Sequence, residues 1–250
     1  MKNFYCCLAL LGVLLSCTTD ETFVATTAQP VPDVWGFNSY RTRTTDTLPA
    51  NEANPYDLAG ALHLRLLSDY AATWEKPSDL AALQLLIAAI ANDHPDYQSV
   101  APAVPVPISS LWLSELAAGE YLFLSDVLMA PTMSPLGKTQ LDHFAHALLE
   151  QYEAEAAYPV LHTSIVLYES EVLRDSTLTA ADKRILLTTS SIARFSAYAA
   201  RKRPKKNTDP DWDLLIANLA GAGEGASHDT GTAAVMALAA GIAANEGILE

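Results

Sequence analysis

From Asn54 to the C-terminus the apolar residues recur at three- and four-residue spacing. No stretch shows the sustained apolar–polar alternation of a half-buried strand, and no Asn-Gly or Asp-Gly pair joins two such runs. A chain written this way has to bury its apolar surface helix against helix. The pattern predicts an all-α fold, a single helical bundle domain of about seven or eight helices spanning residues 54–250.

Helix starts can be read locally. In Asn54-Pro55-Tyr56-Asp57, Asn54 is expected as the N-cap, Pro55 at the first helical position and Asp57 on the positive end of the helix dipole. Tyr56, Gly60, His63, Leu67 and Tyr70 then form one stripe. A second helix opened by Ser78 is apolar nearly all round, which predicts a central position. Pro95, Pro102, Pro105 and Pro107 mark an extended connector. Further starts fall at Ser109, Ser134-Pro135, Pro159, Thr179 with Asp182 as a capping box, and Asp209-Pro210. The tail from Gly221 is rich in Ala and Gly. Its uncharged stretch Gly231–Ala244 is read as a tightly packed terminal helix or a self-association surface, and Gly221-Ala222-Gly223-Glu224-Gly225 as a mobile turn.

The other end of the chain carries an address. One cation, Lys2, precedes an apolar run from Phe4 to Leu15, too short to cross a hydrocarbon core of about 30 Å. The run ends in Leu14-Leu15-Ser16-Cys17, which resembles a bacterial lipobox. That resemblance implies a lipoprotein signal peptide over residues 1–16, cleavage before Cys17 and acylation of Cys17. The other two cysteines, Cys6 and Cys7, fall inside the removed peptide, so the mature chain has no pair from which to make a disulfide. Residues 17–53 read as a lipidated tether and N-terminal arm. Several acyl chains give a stable membrane anchor. Thr18-Thr19-Asp20-Glu21 is similar to the surface-export signal of Bacteroidetes lipoproteins, and both periplasmic and surface-facing orientations stay open.

Two internal stretches carry a second resemblance. Asn54-Pro55-Tyr56-Asp57 with Gly60 and His63 resembles the NPYD-x-x-G-x-x-H opening of uncharacterised Bacteroidetes lipoproteins. The stretch from Ala181 to Ser196, closing in Ser191-Ile192-Ala193-Arg194-Phe195-Ser196, resembles a later segment of the same family in which such a string ends a helix. The family's His-Asn is His63-Leu64 in this chain. The resemblance implies class and location, and names no activity.

Several constellations bear on chemistry. His143, His146 and Glu150 share a helical stripe, and His162 on the next helix could join them as a metal site. The bland alternative is a solvated polar face. Asp57 and His63 flank Gly60 on the first helix, and a glycine there costs about 1 kcal/mol relative to Ala. Close helix packing, with the imidazole bonded to backbone or Tyr, is the expected compensation; a ligand site is the alternative. Arg201, Lys202, Arg203, Lys205 and Lys206 form a basic run suited to a helix C-terminus or to an anionic surface. With 29 Asp+Glu against 15 Lys+Arg and a net charge of −14, the chain is a poor nucleic-acid binder. No G-x-S-x-G elbow is present, and acylation leaves no free cysteine nucleophile. The sequence therefore predicts an envelope protein, lipid-anchored at the outer membrane, with a binding or assembly role and no cofactor. An envelope protein partner or self-association is the expected interaction. A metal-dependent or His-assisted enzyme is the alternative.

Overall fold

A computed structural model describes residues 47–73, 76–118, 132–200 and 210–246, all within one unit, Asp33–Glu250. Among the described residues there are nine helices and no strand, as the periodicity predicts. They are α1 (Asp57–Thr73), α2 (Leu80–Asp93), α3 (Pro95–Gln98), α4 (Ser110–Ala118), α5 (Pro135–Glu153), α6 (Tyr158–Arg174), α7 (Ala180–Ala200), α8 (Pro210–Ala226) and α9 (Thr230–Glu246).

Caps explain most of the boundaries. The Ser134 hydroxyl accepts from the Gly137 N–H at 3.1 Å and starts α5. At α7 the capping box closes in both directions: Asp182 N–H donates to Thr179 Oγ1 (3.0 Å), and Thr179 N–H donates to Asp182 Oδ2 (3.1 Å). The buried Asp182 carboxylate also accepts from the Ser134 N–H and hydroxyl, both at 2.8 Å. One side chain thus ties the starts of two helices together. At α2 the cap is Asp79, one residue beyond the expected Ser78, accepting from Ala82 N–H at 2.8 Å. The connector after α2 holds a short helix, α3, before its extended proline-rich stretch.

Two apolar clusters make up the core. One is built mainly from α5, α6 and α7, with Leu141, Phe144, Leu161, Ile165, Ile185 and Ile192. The other draws on α1, α2, α4 and α9, with Leu62, Leu66, Leu83, Ile87, Leu113 and Leu238. Helices α1, α8 and α9 contribute residues to both and so lie between them.

The central helix is α7, not α2. Every residue from Ile185 to Tyr198 is buried, whereas α2 buries only Leu80, Leu83, Ile87 and Ala91 and leaves Leu85 74% exposed. The physical reason is what surrounds each helix. α7 is packed by α1, α5, α6, α8 and α9, and polar side chains on it find partners inside, as Ser190 does on Glu169 and Ser191 on the Asp57 backbone oxygen.

Glycine sets the closest approaches. A Cβ on Gly60 would lie 2.5 Å from the Ser191 backbone oxygen and would overlap the Phe195 ring, so α1 meets α7 backbone to backbone. Gly60→Ala is expected to destabilise the fold by about 1–3 kcal/mol despite alanine's better helix propensity, because a backbone oxygen cannot step aside. Urea unfolding measures this; a stabilised variant would show that the helices can part without cost. The Ala- and Gly-rich tail is used in the same manner. It forms the α8–α9 hairpin, where a Cβ on Gly225 would sit 2.5 Å from Ala233 Cα and one on Gly221 2.6 Å from Ala237 Cα. The expected mobile turn at Gly221–Gly225 is instead the last part of α8. The turn is Ser227-His228-Asp229, and Asp229 accepts from Thr232 N–H (2.7 Å) to begin α9.

Candidate functional site

A buried ionic centre joins α1, α6, α7 and the segment before α1. Arg194 on α7 and Glu169 on α6 are both fully buried. Arg194 Nη2 donates to Glu169 Oε1 at 3.1 Å and to Asp57 Oδ1 on α1, whose side chain is 20% exposed. Each element delivers its residue by simple periodicity. Leu161, Ile165, Glu169 and Val172 are the buried stripe of α6, so the carboxylate occupies a core position. Arg194 falls on the central helix, where every surrounding position is covered.

Glu169 is densely satisfied. Its Oε1 accepts from Asn54 Nδ2 (2.9 Å), Ser190 Oγ (3.0 Å) and Arg194, and its Oε2 from Asn51 Nδ2 (2.6 Å). Asp57 is held from both sides as well: Asn51 N–H donates to its Oδ2 (3.2 Å), and Ser191 Oγ donates to its backbone oxygen (3.1 Å). That same hydroxyl accepts from Gly60 N–H at 3.2 Å, where only a glycine admits the contact. Arg194 uses Nη2 alone; its Nε and Nη1 have no hydrogen-bond partner among the described residues, and its Cζ stands 5.5 Å from the Phe195 ring centroid.

Asn54 does not cap α1, which starts three residues later. Its side-chain oxygen accepts from Tyr56 N–H (2.9 Å) in a local turn, leaving its amide to reach Glu169 and the Leu187 carbonyl (2.9 Å). The body accordingly begins before residue 54: Pro49 is buried, and Asn51 is bonded to α6. The end of the stretch expected as tether and arm is part of the fold.

His162 borders the centre. Burial, reinforced by the charge of Arg194, lowers its pKa below the usual imidazole value, while Glu169, the Ala50 backbone and Asp57 pull the other way. His63 lies apart, only 1% exposed, and burial lowers its pKa to about 4. Asn218 on α8 stands beside the ring and offsets part of that, although neither ring nitrogen makes a hydrogen bond of ordinary geometry. Among the described residues the expected bond to backbone or Tyr is not made, and close packing at Gly60 is what the glycine serves.

The stripe of His143, His146, Glu150 and His162 is not assembled into a metal site. The first three side chains are exposed on α5, with His146 Nδ1 2.9 Å from the Asp142 carbonyl oxygen, and His162 turns to the ionic centre. Among the described residues no three His, Cys, Asp or Glu side chains are grouped to hold a metal ion. Cys17 and the basic run Arg201, Lys202, Arg203, Lys205 and Lys206 lie outside the described residues.

Sequence spacing marked Asp57, and Arg194 stood in a recognised string without a role. Asn51, Glu169 and Ser190 were missed. Two signals were there to find them: Arg194 is the one charged residue between Ile185 and Ala200, and Glu169 interrupts an otherwise apolar stripe.

Fold and site together define an all-α bundle fastened by a buried arginine–carboxylate centre. No family model, curated protein or solved structure matches the chain.

Proposed function

We propose that this chain is a lipid-anchored protein of a bacterial cell envelope, attached at the outer membrane through Cys17 and working by binding or assembly without catalysis. The observation that carries the non-catalytic reading is the saturation of Glu169. Both of its oxygens are occupied by Asn51, Asn54, Ser190 and Arg194, so the best-placed buried carboxylate is spent on holding helices together. A general base has to come within reach of a substrate proton, and Glu169 is fully buried. Attachment follows from Leu14-Leu15-Ser16-Cys17, and among the described residues no helix is long and apolar enough to cross a membrane. The string Asn54 to His63 and the string Ser191 to Ser196 support kinship with Bacteroidetes lipoproteins, and their side chains meet in the ionic centre.

Metabolic labelling tests the anchor. In a bacterial host that processes lipoproteins, the chain is expected to incorporate labelled palmitate and to sediment with the outer membrane. Cys17→Ser is expected to abolish both. An unlabelled wild-type chain recovered in the soluble fraction would refute the reading.

A further inference from the structure

A groove of about 260 Å³ opens between α2, the proline-rich connector and the first half of α9. Ala88, Pro105, Val106, Ile108, Val235 and Met236 supply its apolar surface, and among the described residues no charged side chain lines it, in a protein of net charge −14. An anionic ligand entering there would lose hydration and find no counter-charge among those side chains. An uncharged apolar one gains the full benefit of burial.

Polar lining groups with capacity to spare include Asn92 and Tyr97. The hydroxyl of Tyr97, a lining residue, makes no hydrogen bond among the described residues. Burial and the nearby Asp229 push its pKa above the ordinary phenol value, so it stays protonated and able to donate. Its position is set in advance. A Cβ on Gly231 would lie 3.2 Å from Tyr97 Cε2 and 2.6 Å from the Val100 carbonyl oxygen, so the start of α9 is seated against the ring. The opposite wall is stiff too. Pro102, Pro105 and Pro107 fix their own φ angles, and the Gln84 amide ties the connector to α2 through the Ile108 carbonyl (3.0 Å) and the Ser110 hydroxyl (3.2 Å). Walls fixed before binding reduce the ordering cost of a ligand.

We propose that this groove binds an uncharged, mainly apolar small molecule carrying one hydrogen-bond acceptor, which receives the Tyr97 hydroxyl. The proposal deepens the binding role above and rests on it for its biological meaning. Its test does not involve the lipid, so failure of the anchor and failure of the groove are separate results.

The probe is Prodan, an uncharged naphthalene bearing one ketone, titrated into the full-length Cys17→Ser chain. Saturable one-to-one binding with blue-shifted emission is expected. Ala88 is exposed on α2 and lines the groove, so Ala88→Trp should fill it and weaken binding by about tenfold or more while leaving the helical circular dichroism intact. Tyr97→Phe should weaken binding by about fivefold, the weight of one neutral hydrogen bond. A naphthalene carboxylate of similar size should bind more weakly than Prodan. The proposal is overturned by absence of saturable binding, by affinity that Ala88→Trp leaves unchanged, or by equal affinity for the carboxylate. A dimer that Ala88→Trp dissociates would assign the groove to a second copy of the chain and overturn it as well.

Discussion

Arg194→Met is expected to destabilise the protein by about 3–5 kcal/mol, because it strands the buried Glu169 carboxylate without its cationic partner. The loss of one contact is the smaller part of that cost. Glu169 is fully buried and keeps only the neutral donors of Asn51, Asn54 and Ser190 once the guanidinium is gone. Asp57, partly exposed, can recover water and should suffer less. The double variant Arg194→Met with Glu169→Met should therefore recover much of the loss, since an apolar pair of similar volume needs no counter-charge. Urea denaturation of these two variants and of Glu169→Met alone, beside wild type, measures the cycle. Equal stability of Arg194→Met and wild type would mean that the centre contributes nothing net to the fold.

The second large effect is acid sensitivity at His63. Its pKa is about 4 when folded against 6.5 as the ordinary value, because the neutral ring is buried between helices. Above pH 6.5 the imidazole is neutral in folded and unfolded chains alike and costs nothing. As pH falls from 6.5 towards 4 only the unfolded chain takes up the proton, and stability drops. The full loss across that window is about 3 kcal/mol, from the free energy of about 1.4 kcal/mol that accompanies each pH unit of difference. His63→Gln removes the titration. The stability difference between wild type and variant, followed by urea unfolding from pH 7.5 to 4, should shift against wild type by about that amount. Parallel curves would mean that the imidazole protonates in place.

Much of the architecture was legible because it depends on local chemistry. Ser134, Thr179 and Asp182 start helices by reaching their own neighbouring N–H groups, so three or four residues of sequence suffice. What sequence obscured was depth. Hydrophobicity pointed to α2 as the middle of the bundle, yet the fully covered helix is α7, which buries Thr, Ser and Arg194, because depth depends on the helices that surround an element as well as on its own polarity. The ionic centre was half visible for a similar reason. Asp57 and Arg194 stood out in their own segments, but Asn51 and Glu169 meet across a separation of 118 residues, which no local spacing encodes. Asn54 illustrates the ambiguity well. The same Asn-Pro start that would cap a helix leaves its amide free for Glu169, and only the tertiary partner decides between the two uses.

The fastening of residues 49–54 has a mechanical consequence. Tension that arrives at Asn51 and Asn54 meets amides that grip Glu169 and the Leu187 carbonyl in the interior. These bonds converge on α6 and α7, so such traction is shared among several of them and passes to two helices of the core at once. A chain joined at a frayed helix end would instead be unzipped turn by turn.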